Sequence, residues 1–107
     1  VCYSFYPIDL HVESGIEQKH LEDGVVPKIP YRALIPKNAR RVLCAGRMVS
    51  SDKYANSAVR VQASCMAMGQ AAGQACAIAL DKNCPVGEID TDLLRTKLRS
   101  HGAIVDY

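Results

Sequence analysis

The segment RVQASCMAMGQAAGQACAIAL, Arg60 to Leu80, constrains the fold more than any other part of this sequence. Its length and alanine content predict one long helix, starting between Val59 and Ala63 and ending at Leu80. Gly69 and Gly73 sit inside it, and each costs about 1 kcal/mol relative to alanine in a helix interior. A spacing of four puts both on one face. With Ala72 and Cys76 they make a smooth stripe, with Met66 and Met68 as gap-fillers beside it. A stripe of this kind implies that another backbone comes very close.

Three readings of the segment follow. A membrane helix with a GxxxG dimer face is opposed by Gln62, Ser64, Gln70 and Gln74 within it, and by Arg60 and Asp81 at its ends. A packing helix explains the glycines but not Arg60 or the polar head. A ligand at the helix N-terminus explains both, because a first turn offers unpaired N–H groups and a partial positive charge. Ser64 and Cys65 lie near that turn and Arg60 just before it.

The rest of the chain frames this helix. VCYSFYPIDLHVE is β-branched and aromatic, extended, and broken at Pro7. SGIEQKHLEDGVVPK reads as a loop or short excursion. IPYRALIP is a brief strand between Pro30 and Pro36, and RVLCAG, Arg41 to Gly46, a buried strand of the parallel kind. RMVSSDKYANSA is a polar connection long enough to carry function. After the turn-rich DKNCPVGEID, Thr91, beside Asp90, caps a last helix with Leu93, Leu94 and Leu98 on one face and Gly102 at its end.

At 107 residues the chain is at most one domain. A net charge of +2 with no basic run beyond Ala39–Arg41 argues against nucleic acid. Five cysteines cannot all pair within one chain, and without a CxxC they support neither zinc nor any other metal site. Free thiols of this kind fit a reducing, cytoplasmic setting.

RVLCAGRMVSSDKYANSAVRVQASCMAMGQAAGQACAIAL resembles the C-terminal flavin-binding segment of FAD-dependent oxidoreductases, in particular the bacterial xanthan lyase-like group. YPIDLH, IPYRALIPK and the tail DTDLLRTKLRSHGA are similar to that group as well, so the resemblance covers nearly the whole chain. It implies that Gly46, with Arg47 next to it, lies beside the ribityl and pyrophosphate region of FAD. It implies that the small-residue helix aims amides around Ser64, Cys65 and Met66 at the flavin's N1 and C2 carbonyl. Reduction of a flavin puts negative charge there, which fixed N–H dipoles stabilise. The glycines then let the helix lie against a nucleotide-binding domain.

The resemblance gives Arg60 a place near substrate or flavin; the alternative is an arginine paired to a carboxylate at a domain seam. Asn56 and Ser57 stand where relatives often carry a histidine–glycine or glycine–serine pair, so Ser57 is carried over as a cofactor contact and no histidine proton donor is. Cys65 is either a redox thiol favoured by the helix N-terminus or packing. His11 either faces a substrate pocket or is structural, and Asp9, two residues before it, shares its strand face.

The expected fold is an α+β fragment: short strands, one long small-residue helix and a C-terminal helix. Residues 1–40 form substrate-side strands and loop, 41–80 a flavin-facing strand–loop–helix, and 81–107 the closing helix. No GxGxxG occurs, and the chain starts at Val1 in mid-pattern. The expected whole is therefore a longer flavoprotein in which an N-terminal Rossmann part supplies the nucleotide site. Alone, the fragment would bind FAD weakly and not turn over. The rival is a non-catalytic module whose glycine stripe packs on a partner or on its own copy.

Overall fold

A computed structural model describes residues 1–106. Four short strands come first: β1 (Cys2–Tyr3), β2 (Ile8–Val12), β3 (Gly15–Lys19) and β4 (Lys28–Ile29). They form two separate antiparallel pairs, β1 with β4 in the register Cys2↔Ile29, and β2 with β3 in a hairpin running from Ile8↔Lys19 to Val12↔Gly15. Three helices follow: α1 (Lys53–Val59), α2 (Gln62–Lys82) and α3 (Thr91–Ser100). The architecture is the expected α+β fragment. No helix among the described residues is long and apolar enough to cross a membrane.

The core lies between the inner face of α2, α3 and the β1–β4 pair. Ser64, Met68, Ala71, Ala75, Ile78 and Ala79 are the buried positions of α2, at the three-and-four spacing of one helical stripe. Against them pack Leu94 and Leu98 of α3, and Tyr31 and Leu34 from a 3-10 turn over Tyr31–Leu34. Asn83, in the left-handed conformation at φ 49°, ends α2 and lets the Cys84 amide return to the Ala79 carbonyl at 3.0 Å.

The glycine stripe points the other way. Gly69 and Gly73 are exposed, and a Cβ built on either would meet nothing within 4 Å. The close approach expected there is not made among the described residues. The inner face of α2 uses alanines instead, which are small enough to seat the helix without the backbone cost of glycine. Met66 and Leu80 share the outward side of α2, 76% and 81% exposed.

Several local expectations are corrected. RVLCAG forms no strand: Val42 is more than half exposed, and the run's backbone bonds are Cys44 N–H to the Leu34 carbonyl at 2.8 Å and Val49 N–H to the Gly46 carbonyl at 3.1 Å. A strand exists only as part of a ladder, and no described segment lies alongside to complete one. IPYRALIP is strand only at Ile29; beyond Pro30 it coils into the 3-10 turn, whose three-residue period buries Tyr31 and Leu34 together. The loop SGIEQKHLEDGVVPK contains β3, exposed along its length. The polar connection contains α1, begun by Asp52, whose carboxylate accepts the Ala55 amide at 2.8 Å. The cap of α3 is Asp90 rather than Thr91, with Asp90 Oδ1 accepting from Asp92 and Leu93. Thr91 is the first helical residue.

Candidate functional site at the start of the small-residue helix

The residues around the α1–α2 junction converge on β2. Ser57, on the buried side of α1, donates its hydroxyl to the Tyr54 carbonyl at 2.7 Å and accepts the Asp9 amide at 3.2 Å. Arg60, which ends α1, donates from Nη2 to the Asp9 carbonyl at 3.2 Å. Asp9 is thus held through its backbone from two sides. Its side chain, 13% exposed, brings Oδ2 to 3.8 Å from His11 Nε2, while Oδ1 is buried without a hydrogen-bond partner. Buried carboxylate oxygens ordinarily find a donor, so this oxygen is an open acceptor.

Arg60 lies where α1 ends, bonded to β2 and beside the start of α2. Among the described residues it makes no ion pair to a carboxylate, and its bond to Asp9 is to the main chain. His11 is 61% exposed, so the Asp9–His11 pair sits at the surface of the hairpin with the imidazole outward and the carboxylate inward. A carboxylate that can accept from an imidazole is the arrangement general acid–base chemistry uses.

The first turn of α2 lies beside this group. Its N-cap, Val61, has no side chain able to cap, and the first intrahelical bond runs from the Cys65 amide to the Val61 carbonyl at 3.0 Å. The amides of Gln62, Ala63 and Ser64 precede that bond and are the free donors of the helix start. Of the trio expected to present amides, only Ser64 lies in this set; the Cys65 amide is engaged, and Met66, the next residue, faces outward. The Cys65 thiol, half-buried, is 3.8 Å from the Arg60 carbonyl.

Ser64 also carries a bond that links it back to β1. Its buried hydroxyl donates to Ser4 Oγ at 2.8 Å, and Ser4 donates to the Ala58 carbonyl at 2.6 Å. This relay fixes the start of α2 against the end of α1 and the segment after β1. Ser4 was not singled out by the sequence, where one serine between Tyr3 and Phe5 carries no spacing signal.

Gly46 and Arg47 stand apart from this group. Gly46 has φ 103°, a conformation that favours glycine, and its carbonyl accepts the Val49 amide at 3.1 Å. Arg47 is exposed beside it, and no hydrogen bond among the described residues joins either to the Asp9–Arg60 group.

Compared with known proteins, the chain matches the profile of the FAD dependent oxidoreductase family over residues 1–98. No match is found among curated proteins or solved structures.

Proposed function

The chain belongs to the FAD dependent oxidoreductase family, and from that premise we propose that it is the flavin-facing C-terminal part of a larger enzyme. That enzyme transfers hydride between FAD and a small-molecule substrate. The finer placement proposed is the xanthan lyase-like group. An N-terminal Rossmann part supplies the GxGxxG turn and the rest of the nucleotide site.

One observation carries the reading: the first turn of α2 has free amides at Gln62, Ala63 and Ser64 and no side-chain cap. FAD, when bound, supplies the hydride chemistry. The residues of this chain supply its surroundings. The α2 amides offer hydrogen bonds and a positive helix end to an electron-rich carbonyl edge. Arg60 keeps guanidinium donors beyond its one bond to Asp9, and these orient an anionic or carbonyl group. Asp9 Oδ1 is free to accept a hydrogen bond from a ligand, and His11 stands at the outer edge with Nε2 3.8 Å from Oδ2. Gly46 keeps its loop free of a side chain on the cofactor's side.

The outward face of α2 fits the same reading. Glycines that meet nothing within 4 Å are intelligible where a second body completes the contact. The chain's radius of gyration, 14.8 Å, exceeds the roughly 13 Å of a compact domain near this length, which also suits a part that closes onto another. Self-association through the same face is the rival.

FAD titration followed by flavin fluorescence tests the proposal on the 107-residue chain and on the longer protein it would complete. Binding confined to the longer protein is expected. Tight binding to this chain alone, or to neither, overturns it.

A further inference from the structure

A concave site lies on the opposite side of α1 from the Asp9–Arg60 group. Ser57 faces β2, whereas Ala55 and Val59, two residues either side of it and about 200° around the helix, line a cavity of about 550 Å³. That volume is in the range of small-molecule sites. Its floor is apolar, with Ile29, Val49 and Val59 buried beneath it. Its rim carries Lys28, Arg32, Lys37, Ser50 and Ser51.

Every charged side chain on that rim is cationic. The ion pairs among the described residues are His11–Asp9, Arg95–Asp106 and Arg99–Asp106, so Arg32 and Lys37 have no carboxylate partner. Lys28 places its Nζ over the Tyr3 ring, 5.9 Å from the ring centre, and Tyr3 is not part of the cavity wall. The nearest acid along the chain, Asp52, accepts the Ala55 amide instead. Two unpaired positive charges, Arg32 and Lys37, over an apolar floor with two hydroxyls match a ligand with a doubly charged head and a short apolar arm. A carboxylate offers one charge and two acceptor oxygens; a phosphate monoester offers about −1.5 to −2 and three.

We propose that the cavity between the Lys28–Lys37 segment and α1 binds a small organic phosphomonoester. Its head is held by Arg32 and Lys37 with the Ser50 and Ser51 hydroxyls, and its apolar arm lies over Val49 and Val59. The cavity lies across α1 from the Asp9–Arg60 group, and Val49 on its floor is tied to Gly46 through its amide.

Butyl phosphate, followed by amide shifts in two-dimensional NMR of the 107-residue chain, tests this. Saturable shifts centred on Ala33, Val49, Ser50 and Ser51 are expected. Arg32→Gln and Lys37→Gln should each weaken binding about three- to tenfold, in the range of a charge-assisted contact at a surface. Ser51→Asp should abolish it. All three positions are exposed, and an unchanged amide spectrum of each free variant certifies the fold. Absence of saturable shifts, or affinities indifferent to the three variants, overturns the site. Equal affinity for butyrate overturns the phosphate assignment, and equal affinity for inorganic phosphate overturns the role of the apolar floor. Displacement of butyl phosphate by FAD from these same residues would merge the cavity with the flavin site and overturn its assignment to a small phosphomonoester.

Discussion

Removing the Ser4 hydroxyl should harm this chain more than removing that of Ser64, although the two share one hydrogen bond. Both residues are almost fully buried, at 1% and 2% exposure. Ser64→Ala deletes a donor and leaves Ser4 with its stronger tie, the 2.6 Å bond to the Ala58 carbonyl, intact. That change should cost about 1 kcal/mol, the net value of one ordinary hydrogen bond. Ser4→Ala leaves two groups behind: the Ala58 carbonyl and the Ser64 hydroxyl. Each buried group left without a partner costs about 1–3 kcal/mol. Ser64 recovers part of this by turning to the carbonyl one helical turn back, so the total is about 2–4 kcal/mol. With a urea slope of about 1–1.5 kcal/mol per M for a chain this size, the unfolding midpoint should fall by about 2 M for Ser4→Ala. It should fall by under about 1 M for Ser64→Ala. The double variant should lie within about 0.5 kcal/mol of Ser4→Ala alone, because the second change removes a group already orphaned. Equal effects of the two single changes, or simple additivity, would refute the relay.

Three further outcomes follow from the same structure. Burial, with the Cys76 and Cys84 thiols adding to it, pushes the Tyr31 phenol up to about 12. Its neutral, Val86-bonded form therefore stabilises the fold fully below the ordinary phenol value near 10, and that stability is lost as pH rises from about 10 to 12; Tyr31→Phe should remove this alkaline step from a pH series of thermal melts. Gly69→Ala and Gly73→Ala should each stabilise the isolated chain by about 0.5–1 kcal/mol in urea melts, since the new methyl meets nothing; destabilisation would mean the face is already covered by another copy. Hydrogen bonds from Arg99 and then Arg95 hold the Asp106 carboxyl below its ordinary value, outweighing its desolvation, so the tail stays docked on α3 above that value and detaches as pH falls through the lowered one. NMR shifts of residues 103–106 should report this, and Asp106→Asn should reproduce the detached state at neutral pH.

The two long helices were legible because local pattern determines them. The Arg60–Leu80 segment has composition and length, and Leu94 and Leu98 recur at helical spacing behind an acidic cap. What the pattern left open was which side of α2 the chain itself covers. Small and apolar residues run all round it, so the glycine stripe and the alanine–methionine stripe look equally suited to burial, and only the packed structure assigns the inner one to Met68 and Ala75. RVLCAG shows the opposite failure. Its apolar run is a strand signal, but strands need neighbours, and none is present within the described residues. The candidate site was partly legible: Arg60, Ser57 and His11 do meet around Asp9. The bonds that join them, however, span about fifty residues of sequence, from β2 to the α1–α2 junction. No spacing rule reaches across such a separation, and for the same reason Ser4 and its sixty-residue link to Ser64 were invisible.

The central claim is that the uncapped start of α2, with Arg60 beside it, faces a reducible flavin in the longer protein. The visible absorption spectrum of that protein, recorded before and after dithionite, tests it most directly. A yellow protein that bleaches on reduction is expected, with Arg60→Gln still folded but holding its flavin less tightly or at a lower potential. A protein that stays colourless with FAD added would contradict it and leave α2 as packing alone.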